Sequence, residues 1–171
     1  MDYETVSAAD FGASLRGLGL NILVRDVIAQ ADFLSVVFNM KAHRVSGDFA
    51  IMTYDDQVFQ LHSDGTYHSH PLPSLLPEAG ARGGGAQFHL FATDPDVAAS
   101  KADAHGGHIL QEPTNKPHGL REACILCANG YACVPSHQKK EMQNEHRKTS
   151  EYGSLARTRR PCGRFPLDRA P

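Results

Sequence analysis

Gln87 and His89 stand two residues apart in the run Gln87-Phe88-His89-Leu90-Phe91. In an extended strand, positions i and i+2 project from one face, so an amide and an imidazole would sit side by side with Phe88 and Leu90 opposite. Such a pair can hydrogen-bond a ligand. The imidazole, whose pKa lies near neutrality, can also take a proton or ligate a metal. A related set comes earlier in the chain: Asn21 in the first apolar strand, then Gln60 and His62, again two residues apart. Phe91 would add a stacking surface beside His89. Lys116, His118 and Arg121 make a positive stretch suited to an anionic group, and Tyr67-His68-Ser69-His70 gather where a ligand could be clamped. Glu112 or Glu122 could orient a histidine acting as a general base.

The cysteines are Cys124, Cys127, Cys133 and Cys162, and with His137 the first three superficially resemble a zinc site. Cys124 and Cys127 nevertheless belong to an apolar run, residues 123–127, that reads as a strand, whereas zinc-binding pairs normally bracket a tight turn. Reduced, buried thiols are the expectation. The sequence has no P-loop, no dinucleotide glycine fingerprint after a strand and no G-x-S-x-G elbow.

Charge divides unevenly. Residues 1–135 hold 8 Lys and Arg against 15 Asp and Glu, a net of −7, while residues 136–171 hold 9 against 4, a net of +5. An acidic body argues against nucleic acid as a partner. No apolar run approaches the ~20 residues that span a bilayer, so no membrane partner is expected. The acidic, mixed opening residues lack the form of a signal peptide, and a cytoplasmic location is expected.

The elements that must position these side chains follow from periodicity. Residues 19–24 read as a strand, and Asp26 then precedes a helix over 27–40 with Val27, Ala31, Leu34 and Phe38 on one face. Residues 42–45, 48–54 and 57–62 read as three further strands, with turn signals at Ser46-Gly47 and Asp55-Asp56. An irregular connector rich in Pro and Gly covers 64–85. The pattern then repeats: a strand over 87–91, a helix opened by Asp94-Pro95 and closed by Gly106-Gly107, and strands over 108–112, 120–127 and 131–135. Asn129-Gly130 fits the tight turn of the last hairpin. Asn21 and His89 are read as equivalent, 68 residues apart. The expected organisation is a leader (1–16), a first βαβββ module (17–63), the connector (64–85), a second module (86–135) and a basic, partly disordered tail (136–171). The fold class is α+β: two tandem βαβββ modules forming a cup-shaped mixed sheet with a cleft.

Two such units, with Leu23-Val24-Arg25-Asp26, Asp94-Pro95-Asp96-Val97-Ala98-Ala99 and the stretch 111–122 as local sequences, resemble the vicinal oxygen chelate superfamily over residues 17–135. Glyoxalase I, extradiol dioxygenases, fosfomycin-resistance enzymes and bleomycin-resistance binding proteins belong to it. The resemblance implies a ligand cleft between the modules and a homodimer. In metal-dependent members, His, Glu or Gln from the first and last strand of each module hold a divalent metal. Those positions fall here on Gly19, Gln60, Gln87 and Val134. Two neutral amides, a glycine and a valine make a poor site for a cation that prefers imidazole or anionic ligands. The expectation is therefore a protein that binds a small polar or aromatic organic ligand through Asn21, Gln60, His62, Gln87, His89, Phe91 and Arg121, with no metal. The alternative is a lyase or dioxygenase with a divalent metal such as Zn, Mn, Ni or Fe on Gln60, Gln87 and His89.

Overall fold

In the computed structural model the residues described are 1–138. A short helix, α1 (Ala8–Ser14), leads into β1 (Asn21–Val24), α2 (Val27–Phe38), β2 (Lys41–His43), β3 (Phe49–Tyr54) and β4 (Gln57–Ser63). Two 3₁₀ turns occupy Asp64–Tyr67 and Leu72–Leu75. The second module comprises β5 (Gln87–Leu90), α3 (Pro95–Ala102), a 3₁₀ turn over Asp103–His105, β6 (His108–Asn115), β7 (Leu120–Leu126) and β8 (Ala132–Gln138).

Both helices start where the sequence provides an acceptor for unpaired backbone N–H groups. Asp26 accepts from Ala29 N, and Asp94 accepts from Asp96 N and Val97 N with Pro95 at the first helical position. Val27, Ala31, Leu34 and Phe38 are all buried, as their spacing predicts. Each module forms its own four-stranded mixed sheet, ordered β1-β4-β3-β2 and β5-β8-β7-β6. In each, the helix crossover lets the last strand return parallel to the first: β4 beside β1, β8 beside β5.

The sheet faces turned toward the helices share one core. Ile22, Val24, Met52 and Leu61 from the first sheet join Leu90, Ala123, Ile125 and Cys133 from the second, around Phe33, Leu34 and Phe38 of α2 and Ala98 and Ala102 of α3. Polar contacts also cross between the modules. Lys101 Nζ donates to Val36 O, and the Tyr54 hydroxyl accepts from Ala92 N and bonds Thr93 Oγ1 at 2.8 Å.

Three local expectations are corrected. The last strand does not stop at Pro135 but continues to Gln138. A proline interrupts a ladder only where its missing N–H is needed. β5 ends opposite Pro135, at Leu90, so only β7 remains to be paired beyond it. β6 likewise continues past Pro113, as an edge strand whose register shifts near that proline. Asn21 is equivalent to Gln87, not to His89: Asn21 pairs with Gln60 on the returning strand, as Gln87 pairs with Ala132. The helix caps are 68 residues apart but the strands only 66, because the strand-to-helix link is two residues longer in the second module. Apart from residues 136–138, the basic tail lies outside the described residues.

Candidate functional site

Strand alternation brings Asn21, Gln60 and His62 onto one face of the first sheet, the face turned away from α2. Asn21 Nδ2 donates to the Tyr67 hydroxyl at 3.2 Å. The His62 ring lies edge-on to Phe49 and Tyr67, 5.1 and 5.2 Å between centroids, and burial pushes its pKa down. The leader covers part of this face. Tyr3 packs on His43, Glu4 Oε1 meets His43 Nδ1 at 3.0 Å, and Arg44 Nη1 donates to Val6 O. Phe11 is buried, as are Leu23 and Ile51, which point to the same side.

Gln87 and His89 share the corresponding face of the second sheet and are exposed, and the His89 ring stacks on Phe91 at 5.6 Å. Arg121 is not brought to them. It is one residue out of phase with Glu122, so it points to the helix side, where its guanidinium makes paired 2.6 Å bonds to Asp96. That pairing holds the Asp96 carboxyl below its ordinary range. His118 Nε2 instead donates to Glu122 Oε1 at 3.1 Å on the outer face.

The metal positions that the resemblance implies can be tested on these neighbours. Gly19 precedes β1 and has no side chain. Gln60 lies beside Asn21, Gln87 beside Ala132, and His89 beside Val134. Among the described residues no three His, Cys, Asp or Glu side chains converge. Neutral amides with aliphatic partners do not fit a divalent cation. Cys124, Cys127 and Cys133 are buried free thiols, and burial pushes the Cys133 thiol far up.

A concavity rich in aromatic side chains lies elsewhere, between the modules. A cavity of about 250 Å³ is walled by the rings of Tyr54, Phe59, Phe88 and Tyr131 together with aliphatic side chains such as Ile22, Leu34 and Leu90. Among the described residues no Asp, Glu, Lys or Arg lines it; the polar residues on its wall besides the two tyrosines are Gln30, Gln57 and His89. The Tyr131 hydroxyl donates across the module boundary to Leu23 O at 2.9 Å, and the Tyr54 hydroxyl is engaged by Ala92 and Thr93. Both tyrosines therefore have their polar ends occupied and present ring surface to the cavity. Phe88 lies tilted on Tyr131, 5.8 Å between centroids.

Of the residues expected from sequence to bind the ligand, His89 alone borders this cavity. Sequence reasoning missed Gln30, Tyr54, Phe88 and Tyr131. One signal was present: Gln30 falls on the apolar face of α2, three residues after Val27 and four before Leu34, where a polar residue needs a reason.

No family model matches the sequence, and no curated protein does. Solved structures do match the fold. A glyoxalase/bleomycin resistance protein/dioxygenase family enzyme from Burkholderia phytofirmans aligns with a TM-score of 0.59 at 15% identity, over 70% of this chain and 96% of that one. A glyoxalase-related enzyme from Fulvimarina pelagi gives 0.58 at 13% identity, over 72% and 88%. A glyoxalase/bleomycin resistance protein/dioxygenase from Nocardioides gives 0.54 at 15% identity, over 78% and 93%. The chain has the paired βαβββ fold of the glyoxalase/bleomycin-resistance/dioxygenase proteins, the fold of the vicinal oxygen chelate superfamily.

Proposed function

We propose that this protein binds a small, uncharged aromatic molecule in the cavity between its modules, as a binding protein of the bleomycin-resistance type that needs no resident metal. The observation that carries the reading is the cavity wall: four aromatic rings, two with their hydroxyls already engaged, and no charged side chain among the described residues. Such a lining favours transfer of apolar surface out of water and penalises an ion that would arrive without a counter-charge. The alternative, a metal-dependent lyase or dioxygenase on Gln60, Gln87 and His89, finds no support in the donor set. His89 borders the cavity, while Gln60 and Gln87 do not.

The test is a thermal-shift titration of EDTA-treated protein with 2-acetylnaphthalene and 2-isopropenylnaphthalene. At a ligand concentration 100 times Kd, binding to the native state stabilises by about 2.7 kcal/mol, roughly 5–10 °C for a chain of this size. Leu20→Trp should abolish the shift. Leu20 borders the cavity yet is 39% exposed, so an indole there plugs the opening without displacing the core. Absence of a shift in the wild-type protein, or an equal shift in Leu20→Trp, would overturn the reading.

A further inference from the structure

Between the cavity and a neighbouring one lies a chain of hydrogen bonds in which each amide orientation fixes the next. The Arg25 backbone N–H can only donate, and it meets Asn129 Oδ1 at 3.0 Å. That assigns the Asn129 amide, so its Nδ2 must donate in turn. It meets Gln30 at 2.9 Å, and the atom that receives it must be Oε1. The Gln30 Nε2 group, with two N–H donors, then has no partner among the described residues. It is not one of the sealed, unpartnered polar atoms, which among the described residues are Arg82 Nε and Ser136 Oγ, so it keeps some accessible surface.

Gln30 is only 5% exposed, and it borders two cavities. One is the aromatic cavity. The other is lined by Arg25, Asp26, Phe33, His105 and Asn129. Asn129 belongs to the wall of the second alone. Oε1 is turned toward Asn129, and Nε2 is on the other arm of the planar amide, at the end of a side chain that borders the aromatic cavity.

Resting on the reading of that cavity as a ligand site, we infer that Gln30 is its specificity residue, and that the ligand carries one hydrogen-bond acceptor, a carbonyl, ether or ring nitrogen, that meets Gln30 Nε2. A donor left dry in an apolar site is costly, and a ligand that supplies its acceptor removes that cost where an apolar isostere cannot. Among the described residues the lining has no charged side chain, so the acceptor belongs to a neutral molecule. Asn129 acts at one remove: it is a positioning residue that sets which end of the Gln30 amide the cavity sees.

The two naphthalenes test this, because they differ only in a carbonyl oxygen exchanged for a methylene. The wild-type protein should bind 2-acetylnaphthalene about fivefold more tightly than 2-isopropenylnaphthalene, the size of effect one buried hydrogen bond produces. Gln30→Met keeps the apolar volume and should erase that preference, the ketone losing its advantage over the alkene. Asn129→Asp should remove or reverse the preference from outside the cavity. An aspartate still accepts from Arg25 N–H, but it turns a second oxygen toward Gln30, so the amide must flip and present Oε1 to the ligand. A merely structural role for Asn129 would weaken both ligands alike. Should a variant fail to fold, the side-chain ¹⁵N–¹H signals of Gln30 in the wild-type protein decide: they should move with the ketone and stay with the alkene. Equal affinities for the two ligands, or Gln30 signals indifferent to the ketone, overturn the inference and leave the cavity standing as a binding site. Binding of neither probe overturns the cavity reading itself.

Discussion

Replacing Asn129 by Ala removes the side chain that ties the last hairpin of the second module to α2 of the first. Asn129 is 5% exposed, and both of its bonds span about 100 residues of chain, one to Arg25 N at 3.0 Å and one to Gln30 Oε1 at 2.9 Å. Each lost bond costs about 0.5–1.5 kcal/mol, and the Gln30 oxygen left behind in the interior adds to that, for a total of about 2–4 kcal/mol. Asn129 is not among the residues with positive φ, so alanine adopts its backbone without strain and the loss reports on the side chain alone. In a chain of this length each kcal/mol lowers Tm by roughly 2–4 °C, which gives a fall of about 5–15 °C. Urea unfolding followed by far-UV dichroism should show a lower midpoint with an unchanged slope. A loss under about 1 kcal/mol would mean that water replaces both contacts at no cost, and it would refute the amide chain as a link between the modules.

Two further perturbations follow. Gly130 has φ 78°, and a Cβ there would lie 2.4 Å from Ala81 Cα, a backbone atom that cannot yield cheaply. Gly130→Ala should therefore destabilise by about 2–4 kcal/mol, measured by the same urea titration. Asp64 receives the Arg82 guanidinium, with Nη2 to Oδ2 at 2.6 Å, and this contact holds its carboxyl below the ordinary 3.8. The depressed pKa makes the pair's contribution complete above that ordinary value and lost as pH falls through the lower folded value. The stability difference between wild type and Asp64→Asn should accordingly be constant from pH 7 to pH 5 and shrink below about pH 4; a difference that persists unchanged at pH 2 would contradict the pairing.

The fold was legible because its signals are local and repeated. Asp26 and Asp94 mark two helix starts, the spacing Val27, Ala31, Leu34 and Phe38 marks a buried face, and Asn129-Gly130 marks the last turn. Prolines misled in the opposite direction: Pro113 and Pro135 read as strand ends, yet both strands run on past them, β6 with a shifted register and β8 with β7 alone beside it. The face shared by Gln87 and His89 was also readable, as was that shared by Gln60 and His62, because alternation fixes it. What alternation does not fix is which face meets the other module. The helix-side faces came together, so the concavity between modules is lined by Phe59, Phe88 and Tyr131, which a sequence presents simply as core. Arg121 belongs to the same lesson: a shift of one position along β7 carried it to α3 and Asp96.

The proposed entry of an aromatic molecule into the cavity between the modules, without a metal, is tested most directly by the methyl group of Met40. Met40 borders the cavity, while Met1 is 65% exposed and serves as an internal reference. With ¹³C-methyl methionine in EDTA-treated protein, titration of 2-acetylnaphthalene should displace the Met40 resonance by ring current and saturate at one ligand per chain, with Met1 unmoved. A Met40 signal that stays in place at saturating probe, or that moves only after a divalent metal is added, would contradict the account.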